Sequence, residues 1–415
     1  MKQVFMVMLF ASIFGANSVR CMEIALNNFF YAAQEGDLAA VRSFLDAGGA
    51  VDTPYAEGVT ALRVAARNGR IDVVRELLGL GAQVDVFDNN RRTALSAAAC
   101  GGHLEVAQAL LDQRADVNSA DVEGATPLAL AAEEGHDGMV QELLRRGATV
   151  DTADAAGWTA LMYAIDGGHV DSVRALLGAR AQVNSVNSST VLMLAAESGH
   201  APVISELLSA RATVDAVNEQ GGTALMLAAQ NGHGEAAQLL VDAKADVNAV
   251  CDEQQTVLMI AANSGHRAMV QLLLDARAQV NAVNVYGFTA LVMAAVHDHD
   301  EVAQLLLDTG AQVNVVDVQG STALMIAAQC GCPRVAQVLL YYSQMRDDGT
   351  VVVLDRDARK DGLNALHIGI LSQEDIPAEE KEAAMRALLY PEIIGIDPNS
   401  RVKRPQSACP YAGGC

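Results

Sequence analysis

Hydrophobic and polar residues follow one pattern that returns along most of this chain. Each copy opens with a threonine, continues with a Leu-x-x-Ala-Ala run, passes through a glycine, and then carries a Val-x-x-Leu-Leu stripe. The threonine is expected to cap a first helix, whose Leu and Ala side chains share one face. Glycines such as Gly199, Gly232 and Gly265 are expected to end that helix in the left-handed conformation. The stripe after them predicts a second, antiparallel helix.

A short segment joins each helix pair to the next one. In residues 278–287 it combines extended character with an Asn/Gly turn, which predicts a short β-hairpin finger. Since one helix pair cannot bury its apolar face alone, the pairs are expected to stack on one another.

The recurrence identifies a repeat family. The opening threonines are Thr60, Thr93, Thr126, Thr159, Thr190, Thr223, Thr256, Thr289 and Thr322. Subtracting neighbouring numbers gives 33 at every step except the one from Thr159 to Thr190, which is 31. The full pattern in residues 222–248 resembles the ankyrin repeat, which has this period and a Thr-Pro-Leu-His-x-Ala signature. The resemblance covers Ala25 to about Leu389.

The resemblance implies an all-α fold with short β-hairpin fingers, an ankyrin-repeat solenoid of about eleven stacked units including caps. Its expected parts are repeats with an N-terminal cap over 24–340, an extended finger insertion over 341–363, a C-terminal capping repeat over 364–390 and a flexible tail over 391–415. The shortened step lies in residues 184–189, where one finger is expected to be clipped.

The N-terminus has the order of a secretory signal peptide. Lys2 precedes an apolar run over 4–14 and small residues over 15–18, so residues 1–18 are expected to be removed, with a cut after Cys21 as the alternative. This run is too short for a transmembrane helix, which needs about 20 residues. The chain is therefore expected to be exported to a periplasmic or extracellular space. The alternatives are a buried first helix and a cytoplasmic location.

Composition narrows the classes of partner. Hydrophobic residues make up 51% of the chain but aromatic residues only 4%, so the interior is expected to consist of Ala, Leu, Val and Met. The formal net charge of −22 opposes nucleic-acid binding, which needs a basic surface. A protein with a basic or neutral segment is the expected partner, and the oligomeric state stays open.

Neither a catalytic nor a cofactor motif is present, and no catalytic residue, cofactor or metal is predicted. A histidine recurs at one repeat position: His103, His136, His169, His200, His233, His266 and His299. The resemblance implies hydrogen bonding between repeats there, and metal binding is the weaker alternative.

A cation replaces the usual glycine after several second helices: Arg114, Arg180, Arg211, Lys244 and Arg277. Two explanations are possible for this ladder. A cation near the C-terminus of a helix interacts favourably with the helix dipole, which would offset the backbone strain, or the cations form a basic stripe that is used in recognition.

The expected function is a non-catalytic scaffold that binds a protein on a concave surface of fingers and inner helices. A self-associating array is the alternative, and a metal-dependent enzyme is the weakest reading. The expected contact residues are the carboxylates Glu133, Glu134, Asp166 and Glu197 and the outward-pointing aromatics Trp158, Tyr286 and Phe288. The other finger residues are expected to be polar. Ordinary surface charge, and a Trp158 that covers only its own finger, would explain the same residues. An exported array of this kind also resembles those that host-associated microbes direct at host proteins.

Overall fold

The computed structural model describes residues 16–184 and 190–344 of the chain. They form two compact units that divide near residue 188. The first unit contains α1 Ala16–Glu35, α2 Leu38–Asp46, a 3-10 turn Ala56–Gly58, α3 Ala61–Arg67, α4 Ile71–Gly79, α5 Ala94–Cys100, α6 Leu104–Asp112, α7 Pro127–Glu133, α8 Asp137–Arg145, α9 Ala160–Asp166 and α10 Val170–Gly178. The second unit contains α11 Val191–Glu197, α12 Ala201–Ser209, α13 Ala224–Asn231, α14 Gly234–Asp242, α15 Val257–Asn263, α16 Arg267–Asp275, α17 Ala290–Val296, α18 Asp300–Asp308, α19 Ala323–Gln329 and α20 Pro333–Gln344.

The threonines begin the first helix of each pair, as expected. The Thr159 hydroxyl oxygen accepts a hydrogen bond from the Met162 N–H at 3.4 Å, which satisfies one of the unpaired donors at the helix start. The same cap is formed by Thr60, Thr93, Thr126, Thr190, Thr223, Thr256, Thr289 and Thr322. These caps fix where each of these nine helices begins.

The core of each unit lies between the helices. Successive first helices pack directly on one another, as α5 does on α3 and α7, and as α15 does on α13 and α17. The alanine pairs at these contacts, such as Ala131 with Ala132, have no exposed surface. Because alanine is small, the helices approach closely, and the leucines of the second helices fill the other side of the pair.

Left-handed residues end both helices of a pair. Gly232 has φ 73° and ends α13, as expected. After the second helix, Arg114 and Arg277 have φ of 64° and 65°, and Arg180, Arg211 and Lys244 behave alike. The local turn therefore does not change to accommodate a side chain. All five side chains are exposed, and in the described parts of the chain they form neither an ion pair nor a side-chain hydrogen bond.

Several expectations lie partly or wholly outside the described residues. Helix α1 begins at Ala16 and runs through Ser18 and Cys21, the two expected cleavage positions. Helix α20 continues to Gln344, past the expected start of the insertion at 341. The clipped finger, the rest of the insertion, the capping repeat and the tail fall in segments 185–189 and 345–415, which are not described. Over the described ranges, no helix is long and apolar enough to cross a membrane.

Candidate functional site

Six of the described fingers are turns that one polar side chain closes. The Asp154 Oδ1 atom accepts hydrogen bonds from the Ala156 N–H at 2.9 Å and the Trp158 N–H at 2.8 Å. The same two bonds are made by Asp88, Asp121, Asn218, Asn284 and Asp317. The side chain thus satisfies backbone donors that a partner strand would otherwise satisfy. Within residues 16–184 and 190–344 the fingers contain isolated bridges and no β-strand, so the expected hairpins are turns.

Neighbouring fingers are joined through their backbones. In the first unit, the Ala155 N–H donates to the Glu123 carbonyl at 2.8 Å. In the second unit, the Val285 N–H donates to the Glu253 carbonyl at 3.2 Å, and the Val318 N–H donates to the Tyr286 carbonyl at 3.0 Å. These bonds fix the tips in a row within each unit, so that their side chains form a pre-organised surface.

One finger of the first unit places an aromatic side chain against an aromatic side chain of α9. The rings of Trp158 and Tyr163 have centroids 5.2 Å apart and are tilted by 48°, and both side chains are half-buried. The Tyr163 hydroxyl donates to Asp154 Oδ2 at 2.6 Å. The pKa of the Tyr163 hydroxyl is raised, mainly because the side chain is partly buried and to a smaller extent because of this hydrogen bond. The phenol therefore stays protonated and ties the aromatic pair to the finger.

Carboxylates lie beside this pair. Glu133 and Glu134 are exposed at the end of α7. Partial burial raises the pKa of the Glu133 carboxyl, and the charge of Glu134 adds to this effect. The charge of Arg92 opposes it, and the charge of Asp154 makes a smaller contribution that raises the pKa. A cation brought to this place would stabilise the charged form. We call Glu133, Glu134, Asp154, Trp158 and Tyr163 the acidic-aromatic cluster.

The other expected contact residues have different surroundings. Asp166 is exposed at the end of α9 in the first unit, whereas Glu197 is exposed at the end of α11 in the second. Tyr286 is 46% exposed and its hydroxyl lies 3.4 Å from Glu253 Oε1. The expectation that Phe288 points outward is wrong, because its side chain is only 5% exposed. It packs beneath Tyr286, with the two ring centroids 6.1 Å apart.

The second unit also exposes a row of valines, although its fingers were expected to be polar apart from isolated aromatics. One valine precedes the polar residue of each finger or its equivalent, Cys251: Val217, Val250, Val283 and Val316, which are 55%, 50%, 47% and 52% exposed. Val285 and Val318, on the other side of that residue, are 47% and 66% exposed. The signal in the sequence is the recurrence of valine at the repeat period. The sequence did not lead us to predict this row of valines as a surface feature, or Tyr163 and Asp154 as parts of the site.

The histidine ladder has a structural explanation. The His169 Nε2 atom lies 3.1 Å from the Glu133 carbonyl oxygen, 36 residues earlier in the chain. The same bond, at 2.9 to 3.1 Å, is made by His103, His136, His233, His266 and His299. These imidazoles connect neighbouring repeats, as the resemblance implies. In the described part of the chain, no group of three or more His, Cys, Asp or Glu side chains is arranged to hold a metal ion.

Comparison with known proteins identifies the repeats. A family model described as ankyrin repeats in three copies matches residues 29–121, 115–187, 178–251 and 244–317, and a single-repeat ankyrin model matches 319–346. Among solved structures, the ankyrin repeat domain of human ASB11 is 28% identical, with a TM-score of 0.48. The match covers 51% of this chain and 97% of that one. No curated protein matches the chain significantly.

Proposed function

This chain belongs to the ankyrin-repeat family, and we propose that it is a scaffold that binds another protein through its fingers and first helices. Ankyrin repeats are generally protein–protein interaction modules. Stacked repeats offer extended surfaces on which side chains from successive units meet one partner. The partner of the first unit, in this proposal, carries a basic segment.

The acidic-aromatic cluster supports this choice. The half-buried Trp158 offers apolar area at little entropic cost, because Tyr163 and the closed finger already hold it in place. Glu133 is a carboxylate whose charged form gains from a nearby cation. An arginine side chain could contact both, since it pairs with carboxylates and stacks on aromatic rings.

The aromatic contribution can be tested once the full chain has been used as bait and the captured protein identified. Trp158→Ala should weaken binding by about 2 kcal/mol, or roughly 30-fold, as central interface aromatics do. Tyr31→Ala, which removes a 66% exposed aromatic of α1 outside the cluster, is the matched control and should leave affinity unchanged. Circular dichroism should show that both variants are folded.

The charges can be tested separately. Replacing Glu133, Glu134 and Asp166 by the corresponding amides should slow association and flatten its salt dependence, because exposed charges act mainly on encounter. Neutralising Asp72 and Glu105, which are exposed on second helices, is the control. Unchanged affinity and salt response in both the Trp158 and the charge variants would exclude this surface.

A self-associating array is the competing function. Sedimentation of the full chain distinguishes the two proposals, since an array should change its size with concentration while a scaffold awaiting its partner should not.

Export remains a proposal that rests on the order of basic, apolar and small residues over 2–18. The natural product should begin near Val19 or Met22. N-terminal sequencing tests this, and retention of Met1 would overturn it.

A further inference from the structure

The exposed valines of the second unit recur at one position of successive fingers. We call Val217, Val250, Val283 and Val316 the valine stripe, since they occupy the same position of four successive fingers. Asn284 explains the exposure of its neighbour: its side chain turns inward to close the finger and is 4% exposed, so Val283 and Val285 on either side turn outward. Exposed apolar side chains that collect on one part of a folded protein mark interaction sites.

Backbone hydrogen bonds join the fingers that carry the stripe. The Asp252 N–H donates to the Gln220 carbonyl at 3.1 Å, and the corresponding bonds of Val285 and Val318 continue the row to the last of these fingers. A partner would therefore lose little binding energy to ordering of this surface.

Charge narrows the chemistry of the partner. The four finger segments, 212–222, 245–256, 278–289 and 311–322, contain no lysine, arginine or histidine. Glu219 and Asp252 are exposed beside the stripe, and Glu253 is half-buried below Tyr286. Within these segments every charged side chain is a carboxylate, and a surface of exposed valines and carboxylates complements an apolar segment that carries cations.

The spacing narrows the conformation of the partner. Packed helices generally lie about 8–10 Å apart, and because successive first helices are packed together we expect the fingers that follow the same repeat to recur at a similar spacing. A polyproline II helix has three residues per turn and rises about 3.1 Å per residue, so that every third side chain returns to one face after about 9 Å. A β-strand sends residues three apart to opposite faces. An α-helix presents a broad apolar stripe that needs a groove, whereas the valines form a single row.

We propose that the valine stripe binds an extended, cationic segment of another protein in the polyproline II conformation, with apolar side chains at every third residue. The valines would contact those side chains, and Glu219 and Asp252 would contact the cations between them. The stripe consists of residues of the second unit, whereas the acidic-aromatic cluster belongs to the first unit.

A synthetic peptide with Leu-Pro-Lys repeated four times, labelled with a fluorophore, is the probe. Its fluorescence anisotropy with the full chain should rise with a saturable curve at low salt. The variant with Val250→Ser, Val283→Ser and Val316→Ser should bind roughly tenfold more weakly or worse. Val122→Ser, which changes a 52% exposed valine of the first unit, is the matched control and should bind as the unchanged chain does.

The controls on the peptide and on the chain decide between occupants. A peptide of the same composition with leucines at irregular positions should bind at least roughly tenfold more weakly, and equal binding would overturn the proposal.

If the unchanged chain forms dimers and the triple valine variant does not, the stripe would instead bind a second copy of this chain. Tighter peptide binding by the full chain carrying Lys403→Glu and Arg404→Glu would assign it to the protein's own basic C-terminal segment. Either result would overturn binding of a separate protein as the role of the stripe.

Discussion

Replacing Arg63 by methionine should destabilise the first unit by about 3 kcal/mol. Arg63 lies on α3, where its Nη2 atom pairs with Asp88 Oδ2 at 2.9 Å, and the two side chains are 10% and 3% exposed. Burial lowers the pKa of the Arg63 guanidinium, and the charge of Asp88 acts in the opposite direction. Methionine would leave the Asp88 carboxylate oxygen buried without its cation.

The magnitude follows from the geometry of the pair. Removing one partner of a buried ion pair costs about 3–5 kcal/mol. The Arg63 Nε atom is itself buried without a hydrogen-bond partner among the described residues, so the pair is imperfectly satisfied and the lower end applies. Asp88→Asn should cost a similar amount, since its Oδ1 can still accept the Asn90 and Arg92 N–H groups at 2.9 Å while Arg63 loses its counter-charge.

The double variant separates the pair from its surroundings. Arg63→Met with Asp88→Asn recreates the combination of Met259 and Asn284 that the second unit already contains. Replacing a buried pair by groups of matched shape is often neutral, so we expect the double variant to be within about 1 kcal/mol of the unchanged chain. The coupling energy should then exceed about 2 kcal/mol.

Urea unfolding followed by circular dichroism measures these free energies. Because repeat arrays can lose two-state behaviour, hydrogen exchange of residues 61–67 should accompany it. Arg67→Met, at an exposed position of the same helix, is the control and should change stability by less than about 0.5 kcal/mol. Single variants that cost less than about 1 kcal/mol, or costs that simply add in the double variant, would refute the reasoning.

Three further changes test other parts of the fold. Arg277→Gly should stabilise the second unit by about 0.5 kcal/mol in urea unfolding, since φ is 65° there and glycine relieves more strain than it adds entropy to the unfolded chain. His266→Ala should cost about 1 kcal/mol and speed hydrogen exchange nearby, because the Gln230 carbonyl loses its bond to the imidazole. The pKa of Glu142 is lowered, chiefly because its carboxylate accepts hydrogen bonds from Arg145, while burial acts in the opposite direction. This stabilisation is therefore complete above the pKa of an unfolded glutamate, about 4.3, and is lost as pH falls through the lower folded value. Glu142→Gln should flatten that part of an acid-unfolding profile.

The helices and their ends could be predicted because their signals are local. A threonine before a Leu-x-x-Ala-Ala run caps a helix through a bond to a residue three positions away, as Thr159 does to Met162. Gly232 ends α13 for an equally local reason, the left-handed backbone. The positive φ of Arg277 could not be predicted in this way. A glycine at that position would have predicted a left-handed backbone, whereas an arginine does not.

Side-chain exposure on the fingers could not be predicted in the same way. Trp158 and Phe288 both precede the threonine of their repeat, yet the first is half-buried against Tyr163 and the second is almost fully buried. Which of these occurs depends on the side chains of neighbouring fingers, which lie far away in sequence. The valines were misread because, taken singly, Val283 fits a hairpin strand, and only the inward turn of Asn284 shows that it faces out.

The positions that differ between repeats carry more information about binding than those that recur. At the histidine position, Arg70 Nε reaches the Gln34 carbonyl at 2.7 Å and Cys332 Sγ reaches the Val296 carbonyl at 3.4 Å, so three kinds of side chain make the same link. Recurrence there reflects a shared structural bond and indicates no ligand. The residue before the threonine behaves differently in six of the described repeats. There the polar finger residue fixes the backbone N–H of that residue, while its side chain varies from one repeat to the next. Variable side chains on a backbone of fixed geometry are what a scaffold needs in order to present a specific surface, and Trp158 occupies such a position.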